Sequence, residues 1–219
     1  MPPALRSVAL GEQLADILRQ QIVTGQLPVS HRLVEDALAV QHGISRGPVR
    51  DALRTLTAEG LLESRQRGFF VKAFTHQDID ELYDIREAAE HLASRLALAR
   101  AQPMDWVEAE RQVALMLAGA DHRTERAYAR ADLAFHTQFY VLSGSARLLT
   151  LWHQFRPTFA TLLDITNAQD ADLHPSATDH AELLALAKAA DGEAFAAKLT
   201  EHLAGSRRRM RAALGSAEL

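Results

Sequence analysis

Gly43-Ile44-Ser45-Arg46-Gly47-Pro48-Val49-Arg50-Asp51-Ala52-Leu53-Arg54 carries two patterns at once. Val49, Ala52 and Leu53, continued by Leu56, recur at the three- and four-residue spacing of one helix face. Arg46, Arg50 and Arg54 recur at intervals of four and share an outward face. Ser45 is an N-cap residue type, and Pro48 falls in the first turn, where a missing N–H costs nothing. The spacing therefore predicts a helix from Ser45 to Gly60. Its apolar stripe rests on a core and its guanidiniums face water. A major groove admits such a helix, and arginine there grips phosphate or binds guanine with two hydrogen bonds. The free N–H groups at the helix start add a phosphate site. An ordinary solvated face would carry the same three arginines, so the neighbours must decide.

Upstream, Leu10, Leu14, Ile17, Leu18 and Ile22 predict a helix from Val8 to Val23, closed by Gly25. Leu33, Ala37 and Leu38 predict a short second helix ending at Gly43. Downstream, Leu61-Leu62-Glu63-Ser64 and Phe69-Phe70-Val71-Lys72 flank Arg65-Gln66-Arg67-Gly68, a two-stranded hairpin with a basic turn. Three short helices and a basic hairpin have the layout of a winged helix-turn-helix. That context favours DNA over the bland alternative. Arg67 and Gly68, at the hairpin tip, are placed to reach the adjacent groove or backbone.

Charge is divided accordingly. The 219 residues carry a net charge of −4, which by itself argues against a nucleic-acid partner. Residues 1–74 hold nine Arg/Lys against seven Asp/Glu, whereas residues 75–219 hold fifteen against twenty-one. Eight of ten histidines lie in the second stretch. Two domains are expected, a DNA-binding domain at 1–74 and a helical domain at 75–219. With no cysteine, disulfides, thiolate metal sites and cysteine nucleophiles are excluded. No apolar run approaches the roughly 18 residues of a membrane span. Met1 to Gly11 lacks a charged-then-apolar leader pattern. A cytoplasmic protein with no membrane partner is expected.

In the second stretch, helical periodicity runs over about residues 77–101, 103–118, 123–142, 146–165 (with Pro157 as a kink), 177–189 and 193–212, which predicts an all-α antiparallel bundle. The short join at Ala73 to Asp78 predicts mechanical coupling. Asp132 and His136 are four apart on one helix face. His180, at the start of the penultimate helix, and His202 are each eleven residues from Asp191, in the turn between the last two helices. Positions equidistant from a hairpin turn lie side by side, so the two imidazoles converge. One carboxylate and three imidazoles suit Zn²⁺, Ni²⁺ or a similar divalent ion. Taken singly, Asp132–His136 also reads as a helix-stabilising pair, and His180 or His202 as a capping or core histidine. His91, His122, His153 and His174 lack this mutual spacing. Arg207-Arg208-Arg209-Met210-Arg211 is expected to be solvated in the last turns of the final helix, where it complements the dipole.

Arg32-Leu33-Val34-Glu35-Asp36-Ala37-Leu38-Ala39, Gly43 to Arg54, Leu56, Glu59-Gly60-Leu61-Leu62 and Arg67-Gly68 resemble the GntR family of bacterial regulators. The resemblance implies Arg32, Ser45, Arg46 and Arg50 as DNA contacts, with Arg67 and Gly68 in the wing. Gly47 stands where the family usually has Thr or Ser, and Pro28-Val29-Ser30-His31 departs from its usual Pro-Gly loop. The second stretch resembles the FCD effector domain through Leu82-Tyr83-Asp84-Ile85-Arg86, Asp132, Phe135-His136, Asp179-His180, Leu183-Leu184, Asp191 and His202. That implies a divalent ion on Asp132, His136, His180 and His202, a small organic acid beside it, and Arg86 as carboxylate anchor. From its apolar neighbours alone, Arg86 reads equally as an interhelical salt-bridge partner. The expectation is a homodimeric, ligand-responsive repressor on a palindromic double-stranded DNA operator, not an enzyme. A regulator answering to metal alone, or a metal-dependent enzyme with a DNA-binding head, are the competing readings.

Overall fold

A computed structural model describes residues 4–66 and 68–214. They form two compact units, one ending at Thr75 and the other beginning at His76.

The first unit opens with α1 (Ala4–Val23), followed by β1 (Arg32–Leu33), α2 (Glu35–His42), α3 (Arg46–Ala58), β2 (Leu62–Arg65) and β3 (Gly68–Val71). Leu14, Leu18 and Ile22 of α1 pack on Val49, Leu53 and Leu56 of α3, all fully or nearly fully buried. That apolar stripe turns Arg46, Arg50 and Arg54 to solvent. The sheet is antiparallel in the order β1-β3-β2, with Leu62 opposite Val71, Arg65 opposite Gly68 and Leu33 opposite Phe69. Leu33 is therefore a third strand rather than the start of the second helix. Extended backbone at Val34 separates it from Glu35, where α2 begins. Gly43 ends α2 in the left-handed region at φ 63°. Arg19, 2% exposed, ties α1 to the end of α3 by donating from Nε and Nη2 to the two Glu59 oxygens at 2.7 Å each.

The second unit contains α4 (His76–Leu98), a 3-10 turn at Pro103–Trp106, α5 (Val107–Asp121), α6 (Glu125–Leu142), α7 (Ala146–Gln169), α8 (His174–Lys188) and α9 (Gly192–Ala213). α4 packs on α6, α7 and α9, while α8 lies against α5 and α9. Aromatic rings fill the centre: Tyr140 stacks on Trp152 at 5.0 Å, and Tyr83 meets Phe159 edge-on at 5.4 Å. α8 starts three residues before the expected position, with Pro175 in its first turn, so His180 lies in its second turn rather than opening it. The basic run of α9 is not simply solvated. Arg207 donates to Asp80 (2.8 Å) and Asp84 (2.9 Å) of α4, Arg211 pairs with Asp80, and Met210 is fully buried. No helix among the described residues is long and apolar enough to cross a membrane.

Candidate DNA-reading face and metal centre

In the first unit, the start of α3 and the strand before α2 carry the residues expected to meet DNA. Ser45 occupies the N-cap position of α3 with extended backbone, but its hydroxyl makes no capping bond. The expected cap is thus absent, and the hydroxyl is exposed. A Cβ at Gly47 would meet nothing within 4 Å, so a side chain of the usual family type would fit there. Arg54 is exposed one turn beyond Arg50. Gly68 has φ 132°, and a Cβ on it would come within 3.3 Å of Arg32 Nε, so the wing glycine and the Arg32 side chain lie against one another. Arg67 lies outside the described residues. Two carboxylates join this face: Glu35 accepts from Arg50 Nη2 at 2.9 Å, and Asp36 Oδ1 is 2.6 Å from Arg46 Nε. Sequence reasoning passed over both, although they open α2 next to Arg32.

In the second unit, His136 of α6, His180 of α8 and His202 of α9 are buried together, and one nitrogen of each lies within 4.8 Å of the others. Asp132, one turn before His136, has its oxygens 3.8 Å from His136 Nε2 and 3.4 Å from His180 Nε2. The i,i+4 pair and the hairpin pair thus meet. The outer nitrogens of two of the three are held by hydrogen bonds, and that of His202 is buried without one. His180 Nδ1 donates to the Ser176 carbonyl at 2.7 Å, and His136 Nδ1 faces Glu90 Oε1 in a short hydrogen bond. His202 Nδ1 lies 3.7 Å from Asp179 Oδ2. A neutral imidazole donating from Nδ1 has a bare Nε2. His136 and His180 therefore turn lone pairs toward each other across 3.2 Å, with no proton to share. Two nitrogens each about 2.0–2.1 Å from one ion are separated by about this distance. The outer partners fix the tautomers as supports of metal-bound histidine do. The donor set fits a divalent cation.

Electrostatics agree. Burial pushes His136 below the ordinary imidazole value despite the pull of Glu90. His202 is held down to about 3, by burial first and by His180 next, with Asp179 opposing. Both are thus unprotonated, as ligands must be. The Asp132 carboxyl is held well below its usual range against the cost of burial, by His180 and His136 where acid has protonated them and by Arg86 throughout.

Arg86 is 3% exposed, and its Nε donates to Glu90 Oε2 at 3.0 Å. The pairing is within α4, not between helices as the simpler reading of Arg86 had it. Its guanidinium lies against Phe159 (4.9 Å), Trp152 (5.5 Å) and Tyr83 (5.8 Å), and Nη2 is buried without a hydrogen-bond partner. Glu90, fully buried, bridges Arg86 and His136 of the histidine cluster. Burial alone would raise its pKa, yet His136 and Arg86 hold it down to about 2. The sequence did contain a signal for it. Ile79, Tyr83, Arg86, Glu90, Ala93 and Ala97 form one buried stripe, and two charged residues within such a stripe must be paired.

A winged head with a basic helix face, followed by a helical unit with a buried polar centre, is the architecture of a DNA-binding transcription regulator with a second, helical domain. Residues 10–71 match the family of bacterial regulatory proteins, gntR family, and residues 81–205 match the FCD domain. The chain belongs to the GntR family, in the group that carries an FCD domain. It is 31% identical over 201 residues, 91% of this chain and 88% of the other, to the "Probable D-xylose utilization operon transcriptional repressor" of Paenarthrobacter nicotinovorans. It is 24% identical over 160 residues, 73% of this chain and 65% of the other, to the gluconate operon transcriptional repressor of Bacillus licheniformis. The structure of Escherichia coli McbR/YncC superposes with a TM-score of 0.73 at 24% identity, covering 92% of this chain and 96% of that one. These families consist of DNA-binding transcriptional regulators, not enzymes, so the reading as a metal-dependent enzyme falls away.

Proposed function

We propose that the protein is a ligand-responsive repressor that binds a palindromic operator as a homodimer. Arg32, Ser45, Arg46, Gly47, Arg50, Arg54, Arg67 and Gly68 make up its DNA-facing surface. Asp132, His136, His180 and His202 hold a divalent ion, Zn²⁺ or Ni²⁺, and Arg86 anchors the carboxylate of a small organic acid. One observation carries the reading of the centre. Bare imidazole nitrogens face each other within 4.8 Å, and the nearby buried arginine has a donor with nothing to bind. An ion answers the first deficit and an anionic ligand the second. When bound, the ion would supply a Lewis-acidic centre, and a carboxylate oxygen could join the four protein ligands on an ion that takes five or six. Glu90 keeps His136 in the ligating tautomer and orients Arg86, while the aromatic rings around Arg86 exclude water and strengthen its hold on an anion.

Thermal melting tests this with zinc-loaded, nickel-loaded and chelated protein against gluconate, xylonate, lactate and citrate. A ligand that binds only the folded state raises the midpoint according to its occupancy. The proposal expects chelation to lower the midpoint and one acid to raise it only when metal is present. Metal-dependent stability with no response to any acid would make the ion itself the signal. No effect of chelation would remove the metal site.

A further inference from the structure

We infer that Glu35 and Asp36 are specificity-determining residues of the reading head: Glu35 holds Arg50 in place for guanine, and both carboxylates put phosphate at a disadvantage. The inference rests on the DNA contact assigned above to α3. Arg50 turns Nε and Nη2 to Glu35, with Nε 3.3 Å from each carboxylate oxygen and Nη2 2.9 Å from Oε2. Those two nitrogens form one side of the guanidinium. A guanidinium has five N–H donors in a fixed fork, so this grip leaves the Nη1–Nη2 end free. That end matches the O6 and N7 acceptors of guanine. Arg46 forms only an ion pair, its Nε 2.6 Å from Asp36 Oδ1, without the paired hydrogen bonds that fix Arg50.

Charge on this face sharpens the discrimination. Arg46, Arg50 and Arg54 surround Glu35, whose carboxyl is held below its ordinary value, first by the hydrogen bond from Arg50. The three arginines of α3 and the two carboxylates that open α2 sum to +1. A phosphate approaching Arg50 brings a full charge toward Glu35, inside the Debye length of about 8–10 Å, so the carboxylate offsets part of the attraction of the arginines. Guanine offers the same fork two uncharged acceptors, so Glu35 can stay bound while the base is read. The pair at Arg46 is open to water, with side-chain exposures of 69% and 62%, and acts mainly through this field. Arg50 is 50% exposed above a Glu35 that is 27% exposed, so its orientation is the more firmly set.

The test uses the full chain and a duplex that it selects from a random pool, a scrambled version of that duplex, and versions with deazaguanine, which lacks the N7 acceptor, at each guanine in turn. The variants are Glu35→Gln, Asp36→Asn and Arg50→Ala, each checked for an unchanged melting curve. Wild type is expected to lose about tenfold in affinity at one guanine per half-site when N7 is removed. Glu35→Gln should bind the scrambled duplex about fivefold tighter, fall off more steeply with salt, and lose most of the N7 penalty. Asp36→Asn should also tighten scrambled binding, but keep the N7 penalty. The inference is overturned if both variants keep the wild-type ratio of selected to scrambled affinity. If Arg50→Ala binds the selected duplex as wild type does, the assignment of α3 to DNA fails instead.

Discussion

Glu90 shows how much one buried carboxylate can decide. With no solvent exposure, it stays ionised only because His136 and Arg86 both stand on it. Replacing it with Gln removes the charge that balances Arg86 and presents an amide N–H toward a guanidinium that needs an acceptor. Breaking one side of a buried pair costs about 3–5 kcal/mol, so Glu90→Gln should lower stability by at least about 2 kcal/mol in urea unfolding of the chelated protein. Loss of a histidine's outer partner lowers metal affinity by about 10–100-fold, which a competition titration with a zinc indicator reads. Unchanged affinity would show that Glu90 only packs. The meeting of Asp132, His136, His180 and His202 was legible because they obey spacing rules along one helix or across one hairpin. Glu90 and Ser176 were not, since a supporting atom is chosen by packing and can come from any element. Arg86 was legible as a residue but not as a geometry: its partner lies on its own helix, where an apolar stripe had suggested a different helix.

Between elements, α4 and α9 are clasped by charge over a buried Met210. Asp80 receives Arg207 and Arg211, and Arg207 also reaches Asp84. Hydrogen bonds from Arg207, then from Arg211, pull the Asp80 carboxyl below its ordinary value against the cost of burial. A carboxyl lowered on folding contributes stability above its unfolded pKa of about 3.9 and loses it as pH falls through the folded value. Asp80→Asn should therefore cost about 1 kcal/mol near neutrality, a modest figure because the network is partly solvated. The gap to wild type should close as pH falls below the ordinary carboxylate range, and urea titrations at several pH values measure it. A gap independent of pH would mean the loss is one of packing. Long elements such as α4, α6 and α9 were readable from periodicity, because a buried face recurs several times within each. β1 has only two residues and no period to detect, so Leu33 looked like part of a helix. The arginine run of α9 looked solvated because its acidic partners sit on α4, more than 120 residues away in sequence.

At the scale of the whole molecule, the proposed function requires the helical unit to alter the affinity of the head for DNA. Any such effect is an equilibrium coupling and must be reciprocal. If an acid changes operator affinity by some factor, the operator changes affinity for that acid by the same factor, and typical couplings of about 1–3 kcal/mol correspond to about 5–150-fold. This constraint holds whether the acid weakens or strengthens DNA binding, and it requires no assumption about how the two units are arranged. The prediction is made for zinc-loaded protein and whichever acid raises the melting midpoint. Operator affinity, measured by fluorescence anisotropy with and without saturating acid, should change by several-fold. Acid affinity, measured calorimetrically with and without operator, should change by the same ratio. After chelation both ratios should fall to one, because the acid loses the ion that completes its site. If DNA binding responds to the acid while acid affinity ignores DNA, the response comes from something other than occupancy of this centre, and the link from Arg86 and the histidines to the reading head is lost.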